Sequence, residues 1–553
     1  ELRRELKSKG HCFTSQTDSE VILHLYEEEY TDCVKRLRGM FAFALWDQSR
    51  RQLMLSRDRA GQKPLVYAAD GKALIFASEI KALLQDPAVA AEVDPEAIHH
   101  YLTYQYIPGP GTIFKGIKKL PPAHTLILKN GTLSLEPYWQ LSYEPKLVLN
   151  SETEYTQHLL DVFRESVKIR LRSDVPLGAF LSGGIDSSAT VAMMSELLNR
   201  PVKTFSIGFE EQDFNELQYA RQVAERYQTE HTEFVVKPDA LKVLPTLIRH
   251  YDEPYADPSA VPTYYVSQLT REHVTVALNG DGADESFAGY ERYAAHRLAG
   301  CYEKLPAWLR NGLIKPAVNR LPYREQRWSI SRRLKRFING VTDTPQRRYI
   351  QWFCYFNNAM KQQLYTPAFM QAAGTTDSVD ITARLYEQTD ARHLIDKTLF
   401  VDIMSYLPYD LLPKVDIASM AVSLEARSPF LDHKLMEFAA RLPLNLKLRG
   451  MQTKYLLKKT FAPYLPADIL KRKKMGFGVP LNRWFCRDLK PVAYDILLSK
   501  QALGRGYFQR EVIEQLLSEH VALQADHSYR LWALLWLELW HRMFVDKTEV
   551  LGI

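Results

Sequence analysis

An apolar run, VPLGAFL at 175–181, passes directly into SGGIDSS and then into the helix-forming stretch SATVAMMSELL. A short, unbroken apolar run of this kind predicts a strand buried on both faces. The Gly-Gly pair that follows predicts a tight turn into a helix whose N–H groups point back at the turn. Further strands are expected at VKTFSIGF (202–209), HTEFVV (231–236) and VTVALNG (274–280), with an amphipathic helix at 214–227. Alternating strands and helices imply a parallel sheet covered on both faces, and such sheets bind ligands at the carboxyl ends of their strands. From about residue 290 the chain reads as mostly helical.

The stretch before this has a different texture. FAFALWD (41–47), QLMLSRD (52–58), PLVYAA (64–69) and ALIFAS (73–78) are short β-prone runs joined by turns at Asp47–Arg50 and Asp70–Lys72. They predict a hairpin meander with both faces covered. Short helices are expected over Asp18–Tyr30 and over Glu79–Leu84, the latter capped by Ser78. QLSYEPKLVLNSE (140–152) reads as a connector. The expected division is therefore 1–139, a linker at 140–152, and 153–553.

Charge and cysteine content exclude several classes. A net charge of +6 from 71 basic and 65 acidic residues, with no clustered run to focus it, does not predict a nucleic-acid partner. Five scattered cysteines (Cys12, Cys33, Cys301, Cys354, Cys486) predict a reduced, cytoplasmic protein without a disulfide framework. The charged opening ELRRELKSKGH has no signal-peptide core, and Tyr529–Val545, the most apolar helical stretch, is too short and too charged to span a bilayer. No membrane association is expected.

Four loops carry chemistry. Leu181-Ser182-Gly183-Gly184-Ile185-Asp186-Ser187-Ser188 combines glycines, hydroxyls and a helix N-terminus, the makings of a pyrophosphate cradle; without GK[ST] it is not a Walker A loop. Asn279-Gly280-Asp281-Gly282-Ala283-Asp284-Glu285 follows a strand and places three carboxylates within five residues, a cluster that needs a cation; Mg²⁺ beside a pyrophosphate is the natural one. Ser423–Asp432 is dense in charge beside apolar residues. The basic run Lys471–Gly478 reads equally well as a solvated face or as a loop closing on phosphates.

In this order the segments resemble the glutamine-hydrolysing asparagine synthetases. SGGIDSS, TFSIGF, DEPYADPSAVPTY, LNGDGADESFAGY, SLEARSPFLD and KKMGFGVP are similar to the family's synthetase part. TDSEVILHLYEE, LRGMFAFALWD, LSRDRAGQKPLVY, FASEIKALL and YLTYQYIPGPGTIFKGIKKLPPAH are similar to its glutaminase part. The likeness covers nearly the whole chain. It implies an N-terminal-nucleophile-type α+β glutaminase layer, then an α/β parallel-sheet ATP-pyrophosphatase domain with a helical C-terminal extension. It implies that ATP and Mg²⁺ activate aspartate as an acyl-adenylate, which ammonia from glutamine then attacks. By the same resemblance Asp186 and Asp284 hold Mg²⁺, and Ser182, Gly183, Gly184, Ser187 and Ser188 cradle pyrophosphate. Leu181, Ile207, Asn279 and Gly280 line the adenylate pocket, Asn279 standing where most members have Ser. Asp281 matches an acidic residue used in forming the intermediate and in ammonia use, and Lys474 matches the catalytic lysine.

The family's glutaminase nucleophile is a Cys at the mature N-terminus. Residue 1 here is Glu, and the Asn-Gly segment of the family would precede it, so an N-terminally incomplete sequence with ammonia-dependent activity only is expected. Of the glutamine-binding positions Asp18 alone is matched, and the plain alternative there is a helix N-cap, which Thr17 or Asp18 serves equally well. An amidotransferase acting on another carboxylate, such as a sugar acid, is the nearest alternative. A non-catalytic nucleotide binder would not need Asp186, Asp281, Asp284 and Lys474 together, and a thiouridylase-type enzyme would need a cysteine pair and a basic RNA face. The partners expected are small molecules; the sequence leaves the oligomeric state open, a homodimer included.

Overall fold

The computed structural model describes residues 1–71, 73–209, 216–236, 239–321, 334–335, 337–338, 340–341, 344–374, 376–472 and 474–550. Lys72 of the 70–72 turn, the start of the 214–227 helix, Lys473 of the basic run and parts of the helical region beyond 290 lie outside them. The chain divides into two compact units, Glu1–Asp86 with Gly116–Gln140, and Pro87–Lys115 with Leu141–Ile553.

The first unit contains two antiparallel sheets. One has the order β1 (Ala42–Asp47), β2 (Gln52–Arg57), β6 (His124–Lys129), β7 (Thr132–Pro137); the other is β4 (Leu74–Ala77), β3 (Val66–Ala69), β5 (Ile117–Lys119). The period of two along β2 sends neighbouring residues to opposite layers. Met54 joins Leu6, Leu25, Cys33 and Val34 in one core, and Leu55 joins Leu65, Tyr67, Leu120 and Leu126 in another. Both residues are fully buried, so the meander is covered on both faces, as expected. The β6–β7 turn is Asn130-Gly131, both at positive φ (51° and 77°), the backbone a two-residue hairpin of this twist requires. The short helix after β4 runs Ile80–Leu83; Glu79, not Ser78, occupies its N-cap, with no side-chain capping bond.

In the second unit the order is β10 (Glu230–Val236), β9 (Lys203–Phe209), β8 (Leu177–Phe180), β11 (Val276–Leu278), β12 (Glu425–Arg427), parallel throughout. The mixed α/β architecture with a parallel sheet is therefore present. The chain builds outward from β8 in one direction through β9 and β10, then returns to its other side with β11. That reversal is a topological switch point, and sheets of this kind bind ligands there, beyond the carboxyl ends of their strands. Helix Glu152–Arg170, capped by Ser151, turns Tyr155, Leu159, Phe163 and Val167 into the core, where Phe163 packs on Phe430 with ring centroids 4.7 Å apart. The helix Ser528–Phe544 is buried, with Trp532, Trp536 and Trp540 one turn apart and each fully covered. Burial of each such side chain contributes roughly 1.5–3 kcal/mol. Among the described residues no helix is long and apolar enough to cross a membrane. All five cysteines are free.

Residues 87–115 pack into the second unit although they fall midway through the first stretch. Helix Pro95–Tyr104 is bound there by its tyrosines: Tyr101 donates to the Ala533 carbonyl (2.8 Å) and Tyr104 to the Ser378 carbonyl (2.6 Å).

Candidate active site

The SGGIDSS loop leaves β8 and enters helix Ile185–Leu197. Gly183 sits at φ +67°, and a Cβ there would lie 2.5 Å from the Tyr219 Cβ and 2.6 Å from the Ala220 nitrogen. Only glycine fits that approach. The loop holds its own shape: the Ser182 hydroxyl accepts from the Gly184 N–H (3.3 Å) and lies 3.1 Å from the Ser187 hydroxyl, which donates to the Gly184 carbonyl (3.2 Å). Ser182 faces solvent, Gly184 and Asp186 are half-buried, and Ser187 and Ser188 are buried, the Ser188 hydroxyl without a protein partner. Unpaired N–H groups in the helix's first turn face the loop, a favourable setting for an anion. Leu181 turns its side chain into the core; its N–H donates to the Phe205 carbonyl (2.8 Å) and its carbonyl accepts from Ser206. Ile207, on β9, is half-buried.

The second loop leaves β11 beside the first. Gly280 is the point of contact, since a Cβ there would lie 2.7 Å from the Asp186 Cβ and 3.0 Å from the Ser187 nitrogen. Asn279 is buried; its N–H donates to the Arg427 carbonyl (2.9 Å) and its Oδ1 accepts from the Asp281 N–H (3.3 Å). The Asp281 carbonyl accepts from the hydroxyl of Ser428, which follows β12. The charged segment 423–432 thus proves to be the fifth strand and a brace for the acidic loop, a role not legible from its charges.

The cation that the acidic cluster requires is supplied within the chain. Lys454 places its ammonium 2.7 and 2.6 Å from the two Asp186 oxygens and 2.7 Å from Asp284 Oδ1. Lys474 lies 2.6 Å from Asp284 Oδ2. The result is an unbroken line of alternating charge, Asp186–Lys454–Asp284–Lys474. Burial would raise the Asp284 carboxyl, but the two lysines outweigh it and hold it well below the carboxylate range. Burial prevails at Asp186 and raises its carboxyl despite Lys454. Asp281 is likewise raised by burial, against Lys414 and Lys474, and Glu285 is pushed up to about 7 by burial and by Asp284. Burial opposes the charge on Lys474, yet Asp284 and Asp186 raise its ammonium above the ordinary range.

The basic run, ambiguous in sequence, comes down on the cradle. Arg472 donates to the Ser182 carbonyl (3.2 Å), covers the Tyr219 ring at 4.4 Å and pairs with Glu216, while Lys474 reaches Asp284. Next to Asp281 lies a second group that sequence reasoning missed. Lys414 is 3.5 Å from Asp257, and Asp410, which accepts from the Tyr255 hydroxyl (2.6 Å), is pushed up to about 8 by burial and by Asp257. Lys454 was missed as well; only its place before a helix, at φ +53°, marks it out, and that conformation is invisible in sequence.

Asp281, Asp284, Asp186, Lys474, Asn279, Gly280 and the loop 181–188 therefore converge at one sheet edge. Asp18 belongs to the first unit, at the start of helix Ser19–Glu29. Its carboxylate is exposed and makes no capping bond.

Comparison with known proteins shows the family. The family model described as asparagine synthase matches residues 158–542, and the glutamine amidotransferase domain model matches residues 1–139. "Asparagine synthetase [glutamine-hydrolyzing] 1" of Bacillus subtilis is 35% identical over 99% of this chain and 84% of that protein. "Putative asparagine synthetase [glutamine-hydrolyzing]" of Mycobacterium tuberculosis is 35% identical over the full chain and 83% of that protein. "Amidase chyE" of Penicillium rubens is 28% identical over 88% of this chain and 76% of that protein. With the synthase model matching residues 158–542, a stretch that includes the parallel sheet and its charged edge, the chain belongs to the asparagine synthase family.

Proposed function

We propose that the protein converts L-aspartate to L-asparagine at the expense of ATP, with ammonia supplied by glutamine hydrolysis. The line of alternating charge at the carboxyl ends of β8 and β11, beside a glycine-built anion cradle, carries this reading. In the first step an oxygen of the aspartate side-chain carboxylate attacks the α-phosphorus of ATP; the bond to the pyrophosphate oxygen breaks and β-aspartyl-AMP forms. In the second step ammonia attacks the acyl carbon, loses a proton, and expels AMP. A carboxylate oxygen is a poor leaving group and AMP a good one, which is why the first step is needed.

Ser182, Gly183, Gly184 and Ser187 offer hydroxyl and backbone donors to the departing pyrophosphate, with Ser188 behind them and Leu181 anchoring the loop. Ile207, Asn279 and Gly280 border the space for the adenylate. Lys474, the more open of the two lysines, places its charge where negative charge grows during phosphoryl transfer. Asp281, whose carboxyl feels the charges of Lys414 and Lys474, would receive the proton released by ammonia.

Asp186 and Asp284 converge on one point, and Lys454's ammonium stands there as the positive charge. Two carboxylates of this kind facing a phosphate cradle fit a hard divalent cation. Asp186 and Asp284 would hold Mg²⁺, which neutralises charge on the triphosphate when bound. We further assign residues 1–139 to glutamine hydrolysis, with Asp18 as a carboxylate for the glutamine ammonium, and residues 153–553 to synthesis.

The test is ATP–pyrophosphate exchange across a panel of carboxylic acids. Exchange supported by aspartate, and asparagine formed when ammonium or glutamine is added, are expected. Exchange with a sugar acid and none with aspartate would refute the assignment.

A further inference from the structure

The first unit contains a cluster that the proposed chemistry does not use. His11 follows the helix Leu2–Ser8, and His24 and Glu27 lie three residues apart on one face of helix Ser19–Glu29. His11 Nδ1 is 3.2 Å from His24 Nδ1 and 3.2 Å from Glu27 Oε2, and His24 Nδ1 is 2.8 Å from that same oxygen. Three ligand atoms of a tetrahedral zinc site, with bonds near 2.0–2.1 Å, are separated by about 3.3 Å. The observed triangle is close to this, and a cation about 2.1 Å from each atom would sit roughly 1 Å above its plane.

Proton bookkeeping points the same way. His11 uses Nε2 toward Glu28 Oε1 (3.0 Å), so its Nδ1 carries a lone pair aimed into the triangle. Carboxylates that orient a ligating imidazole in this manner are common around metals. If His24 keeps its proton on Nδ1 for Glu27, its Nε2 is left bare; that atom is buried and makes no hydrogen bond, and Glu20 Oε1 is 3.9 Å away. The Glu20 carboxylate accepts from the Thr14 N–H (2.6 Å) and the Ser15 N–H (2.7 Å). A lone pair facing a carboxylate is unfavourable. A cation in the triangle takes the lone pairs of both Nδ1 atoms and returns the proton of His24 to Nε2, facing Glu20. Both imidazoles are largely covered, at 14% and 15% exposure, while Glu27 is 60% exposed, which leaves an entry path and a fourth position for water.

We propose that His11, His24 and Glu27 form a site for a divalent transition-metal cation, zinc by ligand type, that clips the loop after the first helix to helix Ser19–Glu29. The competing state is the triangle held together by hydrogen bonds alone, with no metal. The probe is Co²⁺, titrated into chelator-treated full-length protein and read by the d–d absorption of tetrahedral cobalt, with zinc competition and metal content by mass spectrometry. One equivalent is expected, displaced by zinc and lost in His24→Gln. Glu28→Gln, which leaves all three ligands, is expected to weaken binding about 10–100-fold. Cys12→Ser is expected to leave binding unchanged. Glu27→Gln, nearly isosteric and on the surface, guards against misfolding and is expected to lose the tetrahedral spectrum with circular dichroism unchanged. No cobalt spectrum, a spectrum that survives His24→Gln, or one lost only in Cys12→Ser would overturn the site.

Discussion

Replacing Lys454 by Met removes the ammonium that contacts both Asp186 and Asp284 while keeping most of the side-chain volume. The lysine is 4% exposed, and its partners are 14% and 9% exposed, so water screens them poorly. The contacts of 2.6 and 2.7 Å to a common nitrogen put the two carboxylate oxygens no more than about 5 Å apart. Two like charges at that distance repel by about 3 kcal/mol at an effective dielectric constant near 20. Removing one partner of a buried ion pair costs about 3–5 kcal/mol, so Lys454→Met should destabilise the second unit by that amount at pH 8. The loss must depend on pH. Asp186 is already raised in the folded protein, so its contribution is present below the carboxyl pKa of the unfolded chain and falls as pH rises through the folded value. Without Lys454 the Asp186 carboxyl rises further and Asp284 loses one of the two lysines that hold it down, so protonating one of the pair relieves the repulsion. The penalty should therefore shrink markedly at pH 5. Mg²⁺ should also recover part of it, and should stabilise the variant more than the parent. Urea denaturation followed by tryptophan fluorescence reads this directly, because all but Trp46 and Trp139 of the nine tryptophans lie in the second unit. An equal loss at pH 5 and pH 8, with no differential response to Mg²⁺, would refute the electrostatic account of Asp186–Lys454–Asp284.

Three other outcomes are expected. Lys474→Gln should cost little stability, since the side chain is 38% exposed, but should lower aspartate-dependent pyrophosphate exchange about 10²–10³-fold, and the two assays together separate a chemical role from a structural one. Gly280→Ala would wedge a methyl 2.7 Å from the Asp186 Cβ, so exchange should fall about 10²-fold through misplacement of the cradle, with a stability loss of about 1–3 kcal/mol by thermal unfolding. Glu285→Gln should flatten part of the pH dependence of stability near neutrality: with its folded value up at about 7, Glu285 contributes below the unfolded carboxyl pKa and loses that contribution as pH rises toward 7, so the Gln variant should gain relative to the parent at pH 8.

The central strands around the site were readable because they are largely buried on both faces: VPLGAFL, VKTFSIGF and VTVALNG hold apolar runs that became β8, β9 and β11. HTEFVV became β10, an edge strand with no fully buried residue, and was readable from its β-prone residue types alone. β12 was not readable. It is three residues long, Glu-Ala-Arg, and only Ala426 is buried; its pairing to β11 decides its conformation, not its composition. β7 escaped for a related reason, since its residues are mostly exposed, although Asn130-Gly131 before it was a hairpin signal in plain view. The packing of residues 87–115 into the second unit depends on tyrosine hydroxyls that find acceptors 274 and 432 residues away, which no local pattern encodes.

The site divides along the same line. Gly183 and Gly280 are legible because their chemistry is a backbone requirement, and such requirements are written locally. The carboxylates are legible because three of them crowded into five residues pose a problem that something must solve. What solves it is not local. Charge repulsion in LNGDGADE demands a cation without specifying which, and sequence reasoning supplied Mg²⁺; the fold supplies Lys454 from 268 residues beyond Asp186, out of a stretch, GMQTKYLLKK, in which one lysine looks like any other. In the reading proposed above Asp186 and Asp284 would hold Mg²⁺, and a divalent cation there would supply the same kind of charge compensation that the Lys454 ammonium supplies in this structure. The K454M experiment tests that compensation directly, since a variant lacking the lysine should gain more from added Mg²⁺ than the parent does.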